Sequence, residues 1–204
     1  MQDEYRSIAP VYDPLLSPFF RGVRRGVADY LAGIGAHRVL DLCCGTGEQI
    51  RVLADRGMLA LGLDLSPAML EKAKTRARCN GRVACLLGDA ANPPLKAGKV
   101  DAVVACMALH EMEQEVRDKA FATMRKLAPV LVVVDYAATR PGNRPPAGTL
   151  LARRICHIPE RLAGERHYAA YKDFMARGGV DGLFDESGLK PSFRKDFLFA
   201  TLRL

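Results

Sequence analysis

The run Arg38-Val39-Leu40-Asp41-Leu42-Cys43-Cys44-Gly45-Thr46-Gly47-Glu48-Gln49-Ile50 constrains this chain more than any other stretch. Val39, Leu40 and Leu42 supply a short apolar strand, and Asp41 stands where it runs out. Gly45 and Gly47 then remove side chains that would hold a ligand off the backbone, and they permit positive φ in the turn. The helix predicted next aims its unpaired N–H groups at whatever lies over that turn. An ordinary strand–helix connection shares parts of this pattern. Taken together, the strand, the Gly-rich turn and the helix N-terminus point first to a nucleotide-sized ligand.

Strands and helices alternate from here to residue 136. Leu59-Ala60-Leu61-Gly62-Leu63 is a second apolar strand ending in Asp64. Ser66-Pro67 supplies an N-cap and a proline at the first helical position. Val83–Leu87 is a third strand followed by Gly88-Asp89-Ala90, Val100–Met107 a fourth, and Pro129–Tyr136 a fifth. Between the last two, Glu113–Leu127 has amphipathic helical spacing. This order predicts a parallel sheet in an α/β fold. Residues 137–148 read as loop, about 149–188 as two or three helices, and 191–204 as two strands too close for a crossover, hence antiparallel. At the other end, Pro10 and Pro14 predict a short helix and loop over residues 1–17, ahead of a helix over 18–33.

The 204 residues, nearly half of them hydrophobic, fit one domain with a substantial core. No apolar run has the length of a membrane span, and the N-terminus lacks signal-peptide order, so a cytoplasmic protein is expected. The six cysteines show no bridge or zinc spacing, and no metal site is expected. The +7 net charge admits an anionic partner, though no aromatic-rich basic strand supports RNA binding.

Asp41, Asp64 and Asp89 end three successive strands, and in an open α/β sheet the ligand lies beyond the carboxyl ends. Asp64 suits an acid accepting bonds from ribose hydroxyls. Asp41 inside the turn would repel a pyrophosphate and attract an ammonium or a sulfonium. Ile50 also occupies the place of a third dinucleotide-type glycine. Both features favour S-adenosylmethionine over NAD.

On these residues the chain resembles the class I S-adenosylmethionine-dependent methyltransferases. Val39–Gly47 resembles that family's acidic-plus-glycine motif, with Cys43 at its first glycine. Leu63–Leu70 resembles the ribose-binding motif and Gly88–Ala90 the adenine-binding one. Ile8-Ala9 with Tyr12-Asp13 is similar to the start of ubiquinone/menaquinone-type C-methyltransferases and methyltransferase type 11 relatives, whereas Ala108–Met112 does not match the quinone enzymes. The resemblance implies a Rossmann-like doubly wound sheet of seven strands, five parallel plus a C-terminal antiparallel hairpin. It further implies a lid and helix over 1–33, a cofactor-binding core over 34–136, a substrate-covering helical insertion over 137–190 and the hairpin over 191–204. Asp41, Cys43, Gly45, Thr46 and Gly47 would hold the methionine part. Asp64 would take the ribose, and Asp89 and Ala90 the adenine. Leu65 and Met69 would pack on the adenine or serve as ordinary core. Cys106 and Met107 would border the methyl, under a lid from Tyr5 and Tyr12.

Methyl transfer from a sulfonium needs no acid, and a base only if the acceptor must lose a proton. His110 after the fourth strand is either that base, as a neutral imidazole, or a structural residue heading the next helix. Glu111 orients it or begins the helix. Tyr136 and Tyr168 are expected on the acceptor side. A small-molecule acceptor is the first expectation. A nucleic-acid methyltransferase and a donor-binding regulatory protein without turnover are its rivals, and an NAD dehydrogenase comes third. Asn92-Pro93-Pro94-Leu95 precedes the fourth strand, unlike the Asn-Pro-Pro-Tyr signature of amino-group methyltransferases, and reads as loop. Oligomeric state has no signal.

Overall fold

The computed structural model describes residues 9–77, 81–138, 160–161, 164–196 and 201–203. The chain divides into two compact units, Met1–Cys106 with Lys119–Val132, and Met107–Asp118 with Val133–Leu204.

The first unit opens with α1 (Ala9–Gly33). The sequence predicts a loop before residue 18, yet the helix runs unbroken through Pro14 and Pro18. Apolar residues at 11, 15, 19, 23, 27 and 31 keep one four-residue stripe across both prolines. Neither proline has an N–H to donate, and the helix continues past both. Val27 and Leu31 on the stripe are fully buried.

Next come β1 (Arg38–Leu42), α2 (Glu48–Asp55), β2 (Leu59–Asp64), α3 (Pro67–Ala77), β3 (Val83–Leu87) and β4 (Ala102–Cys106). α4 (Gln114–Leu127) and β5 (Val130–Asp135) follow, each running from one unit's residues into the other's. The expected N-cap is present, with the Met69 N–H donating to Ser66 Oγ at 3.1 Å. β1 pairs in parallel with β2 and with β4, and β2 with β3, giving the order β3-β2-β1-β4-β5. The connections reverse direction between β1 and β4, the switch point where such sheets bind ligands. Val39, Leu40, Leu42, Leu63, Val103 and Val104 are fully buried, as strands covered on both faces require.

The second unit contains a short 3-10 helix (Leu109–Glu111), α5 (Glu165–Ala176), α6 (Gly179–Glu186), β6 (Arg194–Asp196) and β7 (Thr201–Arg203). The last residues of β5, Val133–Asp135, pair antiparallel with β7, and β7 pairs antiparallel with β6. α5 and α6 fall within the span expected to be helical, whereas residues 149–159 lie outside the described residues. Among the described residues no helix is long and apolar enough to cross a membrane.

Candidate functional site

In the first unit the three strand-end acids share one edge. Leu42 is level with Leu63, and Asp64 is level with Leu87, two residues before Asp89. Asp41 stands opposite Gly62 and Val104 on its two neighbours, almost fully buried. Its Oδ1 has no hydrogen-bond partner among the described residues. Burial pushes its carboxyl up to about 8, Arg24 opposes the shift, and Asp64 adds to it.

The turn after β1 is built for close approach. Cys43 takes φ 68°, the left-handed conformation that the motif's first glycine would supply, and here it costs about 1–2 kcal/mol. Gly45 has φ 53°, with open space where a Cβ would stand. A Cβ on Gly47 would lie 2.9 Å from Ala73 Cβ, so this glycine lets α3 pack against the turn. Asp64 fastens the turn from the next strand. Its Oδ2 accepts the Gly45 N–H at 2.7 Å and its Oδ1 the Ser66 N–H at 2.9 Å. A carboxylate oxygen accepts two bonds, so an acid anchored this way can also receive ribose hydroxyls. Thr46 is buried, and its carbonyl accepts a bond from Arg76.

Asp89 is exposed and forms an Asx turn, accepting the Ala91 N–H at 2.8 Å, while Ala90 is buried. Met69 is buried and Leu65 more than half exposed, so only Leu65 offers an open apolar surface. Cys106 ends β4 half-buried, and Met107 after it has φ 54°. Tyr5 and the side chain of Tyr12 lie outside the described residues. A buried carboxyl with an oxygen unpartnered among the described residues, on the strand that leads into a turn whose Gly45 has open space at its Cβ position, fits a ligand with a cationic centre. The residues present therefore suit S-adenosylmethionine.

The second unit holds a polar cluster around His110, which is buried. Its Nδ1 lies 2.7 Å from Asp135 Oδ1, and its Nε2 lies 3.5 Å from Glu160 Oε2 and 3.8 Å from Glu111 Oε1. Asp135, at the end of β5, also accepts the N–H groups of Leu109 at 3.0 Å, His110 at 3.3 Å and Tyr136 at 2.8 Å. One carboxylate thus fixes both the 3-10 turn and the imidazole. Burial opposes charge on His110, but Asp135, Glu160 and Glu111 outweigh it and hold the ring well above its ordinary range. Carboxylates face both ring nitrogens and favour the charged ring over the neutral imidazole expected from the sequence.

Tyr136 is buried, and its hydroxyl donates to Glu160 Oε1 at 2.8 Å. Tyr168 is half-buried and stacks on Tyr171, with Lys172 Nζ 5.0 Å from its ring centre. Reading the sequence for site residues misses Asp135 and Glu160. Asp135 carried a signal, because it ends an apolar strand just as Asp41 and Asp64 do. Glu160 carried none.

The family model described as a methyltransferase domain matches residues 39–129. The chain is 28% identical to malonyl-[acyl-carrier protein] O-methyltransferase of Serratia marcescens, over 73% of this chain and 55% of that one. It is 29% identical to demethylmenaquinone methyltransferase of Renibacterium salmoninarum, over 65% of this chain and 57% of that one. The chain thus spans about half the length of these curated relatives. Its fold is similar to that of magnesium protoporphyrin IX methyltransferase from Synechocystis solved with bound SAH. There the TM-score is 0.64 at 18% identity, covering 89% of this chain and 80% of that one.

Proposed function

For a chain that carries a class I S-adenosylmethionine-dependent methyltransferase domain, we propose in-line methyl transfer to a small-molecule acceptor. The carrying observations are the Oδ1 of buried Asp41, unpartnered among the described residues, and the open space at Gly45 in the turn that follows its strand. S-adenosylmethionine supplies a methyl on a sulfonium, which leaves as a neutral thioether, so no acid is needed. Asp41 and the Gly45–Gly47 turn hold the charged methionine end, Asp64 the ribose, and Asp89 and Ala90 the adenine, with Leu65 against its ring. Cys43, Thr46, Met69, Cys106 and Met107 complete the donor's surroundings. Alignment of donor and acceptor is the main contribution, worth roughly 7–11 kcal/mol when reacting atoms are held in line.

On the acceptor side the reading keeps Glu111, Tyr136 and Tyr168. His110, held by Asp135, stays on the acceptor side as the base or as a structural residue. A seven-stranded sheet belongs to the same reading and is supported by the antiparallel pairing of Val134 with Leu202. The acceptor is a small molecule, as the name demethylmenaquinone methyltransferase suggests for that relative. Calorimetry tests the donor site: S-adenosylmethionine binds with one site per chain, NAD does not, and Asp64→Ala weakens the donor at least tenfold. Unchanged affinity in that variant would mean that the ribose lies elsewhere. Product formation across a panel of acceptors separates an enzyme from a donor-binding regulator.

A further inference from the structure

His110, Glu111, Glu160 and His167 bring four donor groups together within the second unit. The donor site uses none of their atoms and can be tested apart from them, whereas an ion held here would take His110 and Glu111 from the acceptor side. One ligand atom from each of His110, Glu111 and His167 lies within 4.8 Å of the others. Glu160 Oε2 stands between the two rings, 3.5 Å from His110 Nε2 and 2.5 Å from His167 Nε2.

Three features make this more than a crowd of polar groups. First, His110 is held at Nδ1 by Asp135 at 2.7 Å, which turns Nε2 toward Glu160 and Glu111. A carboxylate behind one ring nitrogen is the usual arrangement for a metal-binding histidine, because it sets the tautomer and raises the basicity of the other nitrogen. Glu160 is oriented in a similar way by the Tyr136 hydroxyl at 2.8 Å.

Second, the spacing around His110 Nε2 suits an ion. Tetrahedral zinc with bonds near 2.0–2.1 Å separates its donors by about 3.3–3.5 Å. The 3.5 Å and 3.8 Å separations around His110 Nε2 are on that scale. The shorter His167–Glu160 contact is a hydrogen bond that opens when an ion takes the proton's place.

Third, Asp135, Glu160 and Glu111 face the two imidazoles, and a divalent cation can take the place of the ring protons that these carboxylates favour. Calcium and magnesium favour oxygen donors throughout, whereas two imidazoles with two carboxylates suit zinc.

We infer that the second unit binds one zinc ion through Nε2 of His110, Nε2 of His167 and the carboxylate of Glu111, the three donors that lie within reach of one another. Glu160 moves from its hydrogen bond with His167 to complete the tetrahedron, so the ion is structural. It ties Glu160 and α5 to the 3-10 turn.

The test uses the full chain, stripped of metal with a chelator and titrated with cobalt(II) and then zinc. The site predicts one equivalent of cobalt with a tetrahedral visible spectrum and no thiolate charge-transfer band, displaced by zinc, and a higher melting temperature with zinc. His167→Gln and Glu111→Gln each weaken zinc binding at least tenfold. Glu111 is partly exposed, so its variant keeps the metal-free melting temperature within a few degrees. Absence of one-equivalent binding overturns the inference. So does a thiolate band, or zinc affinity unchanged in both variants. S-adenosylmethionine binding measured on the same preparations reports on the donor site separately.

Discussion

Asp41 is buried with an unpartnered oxygen, and its carboxyl is pushed up to about 8, so it keeps its proton in the ligand-free protein at neutral pH. A carboxyl raised in the folded state binds more protons there than in the unfolded chain. Its contribution is therefore whole below the unfolded value near 4 and is lost as pH rises toward 8, by at most about 1.4 kcal/mol per pH unit. Urea unfolding of Asp41→Asn between pH 5 and 8 should lack this part of the slope. Seating a cationic donor beside Asp41 favours the carboxylate and expels the proton. Donor affinity is then expected to rise with pH up to about 8, and the binding heat at pH 7 to depend on the buffer's ionisation heat. Heats identical in all buffers would show Asp41 already ionised.

At the scale of the element, β1 and β2 depend on a residue without a side chain. Gly62 faces Asp41 across the ladder, and a Cβ there would lie 2.6 Å from Cys44 Sγ and 3.0 Å from Ile50 Cδ1. Gly62→Ala should cost about 1–3 kcal/mol in urea unfolding, the usual cost of overpacking, and should weaken donor binding by displacing the turn. In the second unit, α5 is tied to the start of α4 by Arg117. Its guanidinium is buried, meets Asp173 Oδ2 at 2.5 Å, donates to the Met112 carbonyl at 3.1 Å and lies 5.2 Å from the Phe174 ring centre. Asp173→Ala leaves that cation buried without its acid, so a loss of about 3 kcal/mol is expected. A two-state melt shifted by less than a degree would show that the pair contributes nothing.

For the whole molecule, the +7 charge bears on the nucleic-acid rival. General attraction to polyanions falls steeply as salt rises and selects no site. Small-molecule methylation therefore predicts at most weak RNA binding, gone at physiological salt, and no methyl transfer from labelled donor to RNA. Salt-resistant affinity would favour the rival.

The sequence alone determined what depends on neighbours in the chain. The strand–turn–helix at 38–50, the Ser66 cap and the acids ending β1 and β2 follow from local apolar period, φ preference and N–H satisfaction, and the structure has them. Packing over longer range decided the rest. It made one helix of α1 across both prolines. It also brought Asp135, Glu160 and His167 around His110, which fixed that ring's ionisation. A local pattern says which residues are polar, but a buried charge depends on what surrounds it, and only the tertiary structure decides that.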